Sequence, residues 1–135
     1  HLSIRRQRQM CIETAVELQR ANASYLPYKS DTFDAVMHVG GINTFGEKKR
    51  ALHEMIQVAK PNARIVIVDE GLAPDEENSF TGKFLLRTNA LYGCKPPTGL
   101  LPANVKGLRV KWKIIMNRFL PIWPFYIIEF RKPVA

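Results

Sequence analysis

The chain has 135 residues, 46% of them hydrophobic, which suits one domain with a packed core and excludes a disordered tail or a fibrous repeat. Its 20 Lys and Arg against 12 Asp and Glu give a net charge of +8, which on its own suggests an anionic partner. The excess is local, because residues 104–135 hold seven basic residues and one acidic residue, whereas residues 14–103 are balanced. With no secretory signal and no apolar run of membrane-spanning length, we expect a cytoplasmic chain without a membrane span.

Cysteine usage indicates neither a metal centre nor a disulfide framework. Cys11 and Cys94 lie far apart, with no CxxC pair and no histidine at ligand spacing. We therefore expect no metal, and we expect both cysteines to be small apolar residues of the fold.

The first elements along the chain are a predicted helix and two predicted strands. Residues 2–10 are rich in Arg and Gln, which are good helix formers, and residues 14–19 (TAVELQ) alternate well enough for a short strand. A polar link then leads to residues 34–39 (DAVMHV), which predict a buried strand. Gly40 and Gly41 end that strand where the chain must turn without a Cβ in the way.

A second predicted helix covers residues 48–59. Thr44 and Glu47 have the spacing of a capping box just before it. Apolar side chains recur within it at the helical period, at positions Leu52, Met55, Ile56 and Ala59.

The rest of the chain predicts a strand, a helix and two more strands. Residues 63–68 (ARIVIV) form a β-branched run of the kind buried on both faces of a parallel sheet, and residues 76–90 can form a helix. A connection rich in Pro and Gly over residues 92–102 leads to strands at 108–114 and 125–130 (FYIIEF). We expect an α/β fold in which these last two strands form an antiparallel edge joined by a long turn.

Two stretches carry a recognisable combination: LPYKSDTFD at residues 26–34, and VAKPNARIVIVD at residues 58–69. With them, residues 14–70 resemble the class I S-adenosylmethionine-dependent methyltransferases, specifically the type 11 group that includes quinone-biosynthesis C-methyltransferases. The closing residues 125–133 are similar to that family's last strand.

The resemblance implies a Rossmann-like methyltransferase fold, of which residues 1–135 would be a single partial domain. The predicted strands would be strands 3 to 7 of a sheet ordered 3-2-1-4-5-7-6, mostly parallel with an antiparallel last strand. The family's glycine-rich cofactor loop, and the acidic residue that holds the ribose, would lie before His1. We therefore expect either a truncated domain, or a chain that rearranges by pairing strand 3 with strand 4 or by forming a homodimer through the exposed edge of strand 4.

The resemblance also implies a function. The cofactor would be S-adenosyl-L-methionine, and the methyl acceptor a small-molecule or lipid/quinone-like compound, with the isolated chain inactive. Two alternatives stay open: an RNA or protein methyltransferase of the same fold, and a non-catalytic methyltransferase-like binding module. Asn22 where the family usually has Asp, and Asn62-Ala63 where it often has Gly-Gly, favour the binding module mildly.

The cofactor residues implied by the resemblance fall in two groups. Asn22 and Ala23 stand after strand 3, where the side chain would accept from the adenine amino group and the Ala23 backbone would meet the ring. A loop asparagine that only caps a turn is the alternative. His38, Val39 and Gly40 end the next strand and would lie beside the methionine part of the cofactor.

Gly41, Asn43, Asp69 and Glu70 are implied to line the substrate at the carboxyl ends of the strands. Asp69 could orient a nucleophile or take its proton, or it could cap the following turn. His38 fits a packing residue better than a base. No catalytic base is assigned, because alignment of an activated sulfonium with its acceptor can supply much of the acceleration.

Arg109, Lys111 and Lys113 form one cationic face of a predicted strand. In the implied order this strand is the sheet edge, where lysines discourage edge-to-edge aggregation. No aromatic residue interleaves with them on that face, as base stacking would require, so the pattern does not favour a nucleic-acid partner.

Overall fold

A computed structural model describes residues 16–91 and 93–134 of the chain. The strands are β1 (Phe33–Val39), β2 (Ala59–Glu70), β3 (Lys106–Asn117) and β4 (Leu120–Arg131), and the helices are α1 (Lys48–Val58) and α2 (Phe80–Asn89). Short 3-10 turns cover Ile42–Thr44 and Pro97–Leu100. The predicted helix over residues 2–10 and the prediction for Cys11 lie outside the described residues.

The strands form one sheet in the order β1-β2-β4-β3. β1 is parallel to β2, while β4 is antiparallel to both of its neighbours. The predicted α/β class is confirmed, and the order matches strands 4-5-7-6 of the sheet that the resemblance implies. Among the described strands, β1 and β3 are the two edges.

The core lies between α1 and one face of the sheet. The apolar stripe predicted for the helix is buried against β2 and β4, whose inward side chains are also fully covered. Full burial of one such side chain contributes roughly 1.5–3 kcal/mol. The cluster includes Leu52, Met55, Ile65, Ile67, Ile128 and Phe130.

The sequence predicts that residues 63–68 are buried on both faces of the sheet, and this prediction is only half correct. Alternate side chains of β2 are buried, whereas Val66 and Val68 between them are partly exposed. α1 covers only one face of the described sheet, so the second face has less to pack against.

The strand predicted for residues 14–19 is wrong over residues 16–19, which form no strand. An isolated strand has no partner for its backbone N–H and C=O groups, so it is not stable alone. Within the described residues β1 pairs only with β2, which excludes the predicted pairing between these two segments.

The predicted capping box of α1 is also wrong. Glu47 is the N-cap of the helix, and its side chain makes no capping hydrogen bond. Thr44 lies one turn earlier, in the 3-10 turn, and its hydroxyl donates to the carbonyl of Gly41 over 2.7 Å. Thr44 therefore stabilises the turn that follows β1.

The long turn predicted before the last strand is wrong as well. β3 and β4 continue toward each other until only Arg118 and Phe119 separate them, with Arg118 in the left-handed region at φ 53°. A two-residue turn with positive φ matches the twist of paired strands. The register shifts between Ile115 and Met116, which places an irregularity of the pairing beside Pro121 of β4.

Candidate functional site

The carboxyl ends of β1 and β2 meet at one edge of the sheet because the two strands are parallel. Val39 lies opposite Val68, and the next amide, Gly40 N–H, donates to the Val68 carbonyl over 2.8 Å. Gly40 and Gly41 have φ of 76° and 94°, a conformation that favours glycine. This glycine turn brings the following 3-10 segment back over the end of β2.

Asp69 is the buried centre of this edge. Its Oδ2 accepts from the Asn43 backbone N–H over 2.8 Å, and its Oδ1 accepts from the Glu70 N–H over 2.8 Å. The Asn43 side-chain Nδ2 donates to the Glu70 carbonyl, also over 2.8 Å. The carboxylate is thus satisfied by backbone donors, as a buried charge requires, and it locks the β1 turn to β2.

Tyr126 completes the network from the neighbouring strand. It is fully buried, lies opposite Asp69 in the β2–β4 register, and its hydroxyl donates to Asn43 Oδ1 over 2.9 Å. Burial raises the pKa of Tyr126, and the Asp69 charge adds to this, so the phenol stays a protonated donor. Sequence reasoning missed this residue: alternation in FYIIEF gives its face, but only the register shows that it meets Asn43.

Two further residues fix the end of β2. Trp123 Nε1 donates to Glu70 Oε1 over 3.0 Å, which holds an otherwise exposed carboxylate against β4. At Gly71 an added Cβ would lie 2.7 Å from Tyr126 Cδ1, closer than real contacts allow. Glycine is therefore required at position 71 for the tyrosine ring to lie where it does.

His38 points to the covered face at the end of β1. Its ring meets Phe45 edge-on at 5.3 Å between centroids, and its Nε2 atom is buried without a hydrogen-bond partner in the described part of the chain. Burial lowers the pKa of His38, although the Asp69 charge and a bond to the Gly40 backbone oppose this. The imidazole is thus neutral at pH 7 and keeps one nitrogen free.

Asn22 and Ala23 lie in a cleft of about 620 Å³ whose other wall is formed by residues 44–47. Asn22 Oδ1 accepts from the Ser24 N–H over 2.9 Å, and the Asn22 carbonyl accepts from the Tyr25 N–H over 2.9 Å. These bonds form the capped turn that the alternative interpretation expects, while the residue stays exposed to the cleft.

The structure therefore brings the predicted residues together as two neighbouring groups. Gly41, Asn43, Asp69 and Glu70 share the carboxyl edge, whereas Asn22 and Ala23 lie in the cleft beside it. Phe45 joins the groups, since it lines the cleft and contacts His38.

A larger cleft, of about 980 Å³, runs between α1 and the Pro97–Leu100 turn and contains none of the predicted site residues. Two of its charged side chains, Arg50 and Glu54, have structural partners. Arg50 Nε donates to the Ser24 carbonyl over 2.8 Å and lies 3.9 Å above the Tyr25 ring. Glu54 Oε2 accepts from the Leu26 N–H over 2.8 Å, so both side chains tie the link before β1 to the helix.

Within residues 16–91 and 93–134, no group of three or more His, Cys, Asp and Glu side chains is arranged to hold a metal ion. No helix in that part of the chain combines the length and apolar character needed to cross a membrane.

A family model described as a methyltransferase domain matches residues 2–67. The demethylmenaquinone methyltransferase of Lactiplantibacillus plantarum is 38% identical over 68 residues, which are 50% of this chain and 28% of that protein. The norajmaline N-methyltransferase of Rauvolfia serpentina is 37% identical over 76 residues, covering 49% of this chain and 26% of that protein. The matched region thus spans about a quarter of the length of these relatives.

The fold has counterparts among solved structures. A SAM-dependent methyltransferase of Thermotoga maritima superposes with a TM-score of 0.63 at 17% identity, over 94% of this chain and 69% of that one. The similarity thus extends through β3 and β4, beyond the residues that the family model matches. Over the matched residues the chain is similar to methyltransferases of the quinone-biosynthesis-like type, and its fold is similar to part of the Rossmann-like fold of a SAM-dependent methyltransferase.

Proposed function

We propose that this chain is the C-terminal part of an enzyme that transfers a methyl group from S-adenosyl-L-methionine to a small-molecule or lipid/quinone-like acceptor. The observation that carries the proposal is the hydrogen-bonded edge formed by Asn43, Asp69 and Tyr126. Ligands of open α/β sheets bind outside the carboxyl ends of the strands, which is where this network lies. The network also joins Asn43, within the segment that the family model matches, to Tyr126 on β4.

The cofactor side of the site fits this donor. A Cβ at Gly40 would meet no atom within 4 Å, so a ligand can approach the backbone there. His38, Val39 and Gly40 would line the methionine part, and Asn22 and Ala23 would hold the adenine in the adjoining cleft. When bound, S-adenosylmethionine supplies a methyl group on an activated sulfonium.

On the acceptor side of the site, hydrogen bonds hold the polar residues in fixed positions. Gly41, Asn43, Asp69 and Glu70 would line the acceptor. Asp69 accepts a hydrogen bond from the Asn43 backbone N–H, and the Tyr126 hydroxyl donates to the Asn43 side chain. The side-chain amide of Asn43 therefore has one fixed orientation. Glu70 is exposed beside this edge and can orient an acceptor hydroxyl or take its proton. Fixed geometry of this kind accelerates transfer through alignment.

The names of the relatives support an organic small-molecule acceptor. One is named for demethylmenaquinone and another for norajmaline, so relatives of this chain act on different organic acceptors. A nucleic-acid substrate has less support, since Arg109 of the cationic face lies 3.7 Å from Glu129 in an ion pair.

An experiment on cofactor binding tests whether the chain is part of a larger site. The 135-residue chain is titrated with S-adenosylmethionine by calorimetry, in parallel with a longer protein that includes the upstream coding sequence. We expect weak or no binding by the chain, because its described residues supply no glycine-rich loop after a first strand. Micromolar binding by the chain alone would refute the partial-site proposal. An upstream sequence without a strand, GxGxG and helix would favour the binding module.

Transfer itself is tested in the longer protein with a labelled methyl donor and a demethylated quinone. Replacing Asn43 by Ala should lower kcat/KM roughly 10- to 100-fold, because the acceptor edge loses its fixed amide. Asn104→Ala, at an exposed asparagine in the loop before β3, is the matched control and should keep full activity. Equal activity of both variants would remove Asn43 from the site.

A further inference from the structure

The β3–β4 hairpin extends beyond the rest of the sheet. Pairing of β2 with β4 ends where Glu70 lies opposite Phe125, whereas pairing of β3 with β4 continues to Asn117 and Leu120. Residues 114–124 therefore form a two-stranded extension, here called the hairpin arm. Its base is held by hydrogen bonds from the Gly71 N–H to the Pro124 carbonyl and from Asn89 Nδ2 to the Ile122 carbonyl, both over 3.2 Å, so only its end is free of the rest of the described chain. At about 3.4 Å per residue it reaches roughly 17 Å past the end of β2.

The end of the hairpin arm is apolar and exposed. Phe119, in the turn, is 94% exposed, and Leu120 beside it is also largely exposed. The shift in the register between β3 and β4 leaves Ile122 of β4 without a residue opposite it, and the Ile122 side chain is also exposed. Hairpin turns in water are usually built from Gly, Asn, Asp and other polar residues, so this end is unusual for a surface that faces only water.

Along the sequence, basic residues accompany this apolar end without acidic ones, although in space the Glu70 carboxylate contacts Trp123 at the base of the arm. From Lys95 to Ile128 the sequence contains six Lys and Arg and not a single Asp or Glu. Arg118 shares the turn with Phe119, while Lys111 and Lys113 follow along β3 and are exposed. Exposed aromatic and aliphatic side chains next to unbalanced cations are the combination that anionic lipid surfaces attract.

We propose that the hairpin arm is a membrane-surface anchor that inserts Phe119 and Leu120 into the interface of an anionic bilayer. The charge favours a lipid partner, because an anionic bilayer supplies both an apolar layer for Phe119 and Leu120 and negative charge for the basic residues beside them. Trp123, which lies within the arm, suits the interfacial level preferred by tryptophan.

The arm projects from the same edge of the sheet that carries the candidate site. The Trp123 indole donates to Glu70 at that edge, so the base of the arm is tied to it. Anchoring would therefore place the edge next to the bilayer, within reach of a lipid-like acceptor. This last link alone rests on the proposed function; membrane binding itself does not.

Vesicle binding of the 135-residue chain, without any methyl donor, tests the anchor. The vesicles are phosphatidylcholine with or without phosphatidylserine, and bound protein is measured by co-sedimentation. We expect preferential binding to the vesicles that contain phosphatidylserine, decreasing as salt is raised. Equal binding to both vesicle types, or no binding at low salt, would overturn the proposal.

A matched pair of variants separates the arm from general stickiness. Phe119→Ser should weaken binding about tenfold, because it removes a large apolar side chain from the interface. Phe80→Ser is the control, since Phe80 is 91% exposed but lies on α2 after the acidic residues 75–77. Vesicle binding by this variant should stay unchanged. Far-UV circular dichroism checks that both variants remain folded. Equal losses in the two variants would exclude the arm as the anchor.

The charge contribution is tested separately with Lys111→Gln, Lys113→Gln and Arg118→Gln. Each should weaken binding to anionic vesicles about fivefold and leave binding to neutral vesicles unchanged. Binding of RNA, or self-association abolished by Phe119→Ser, in the absence of vesicle binding would replace the bilayer with another partner and refute the inference. Vesicle binding by a protein that shows no methyl transfer would support the anchor while the proposed function fails.

Discussion

In β1 and β2 both faces of the sheet carry apolar side chains, but the two faces differ in how far they are covered. On the face that packs against α1, Ile65 and Ile67 of β2 have no exposed surface. On the opposite face, Met37 and Val39 of β1 are 73% and 60% exposed. In β1 and β2 this difference does not come from composition, since apolar residues occur on both faces, whereas on β3 the open face carries the cationic residues instead.

This comparison shows what an apolar strand sequence does and does not report. Strands of parallel sheets are apolar on both sides because helices usually cover both faces. In the described residues α1 covers one face only, so apolar side chains on the other face remain partly or largely exposed. The uncovered half supports the proposal that the chain is part of a larger domain.

The largest expected effect contrasts two neighbouring residues of β2. Ile67→Ala should lower the free energy of unfolding by about 2–5 kcal/mol, because it leaves a cavity on the covered face. Val68→Ala, on the open face, should cost about 1 kcal/mol or less, since its side chain is already partly in water. Urea unfolding of the 135-residue chain measures both. Similar losses would break the comparison and show that something covers the second face in solution.

The next effect concerns the contact that closes the covered face at the end of β2. Gly71→Ala should destabilise the chain by roughly 1–3 kcal/mol, because the new Cβ displaces the Tyr126 ring. At Gly46 a Cβ would meet no atom within 4 Å, so Gly46→Ala is a near-neutral control. Thermal unfolding of the two variants distinguishes them, and equal melting temperatures would contradict the tight contact at Gly71.

A smaller effect is expected for the hydrogen bond between Tyr126 and Asn43. Tyr126→Phe keeps the buried ring and should cost about 1 kcal/mol for the lost bond. Tyr25→Phe, at an exposed tyrosine, is the control and should be nearly neutral. Combining Tyr126→Phe with Asn43→Ala in a double-mutant cycle isolates the interaction. Strict additivity of the two changes would argue against a bond between these side chains.

The smallest expected effect is on pH dependence. Burial holds the pKa of His38 in the folded chain below the value of 6.5 expected when unfolded, so the unfolded state binds more protons around that pH. Stability should be complete above pH 6.5 and decline as the pH falls through this value toward the folded pKa. The change is small, because the Asp69 charge offsets part of the shift.

Unfolding curves between pH 5 and 8, the window in which histidine titrates, measure this slope. His38→Gln should flatten it, whereas His53→Gln, at an exposed position on α1, should leave it as it is. A slope that survives His38→Gln would assign the pH dependence to another group.

Much of the candidate edge could be predicted because it depends on local sequence and one general rule. Gly40 and Gly41 mark the turn after β1, and Asp69 ends the run that forms β2. Parallel strands bring their carboxyl ends to one edge, and there a 2.8 Å hydrogen bond joins the Asn43 N–H to the Asp69 carboxylate. The roles of these residues in binding cofactor or acceptor stay predictions.

The predictions about strands that were wrong share a physical cause, because the pairing of a strand depends on residues far away in the sequence. Residues 16–19 alternate like a strand but have no neighbour to pair with in the described chain. The strands predicted at 108–114 and 125–130 left a long turn between them, yet β3 and β4 pair with each other until only two residues separate them.

The sequence by itself determined the α/β class, the family resemblance, the helix stripe of α1 and the cationic edge of β3, because each depends on spacing along one element. Only the tertiary structure decided that Tyr126 meets Asn43, that one face of the sheet stays open, and that the apolar hairpin arm projects beside the candidate site. These depend on register and on what covers each surface. A shift of one residue in the pairing of β4 would turn Tyr126 away from Asn43 with no change in sequence.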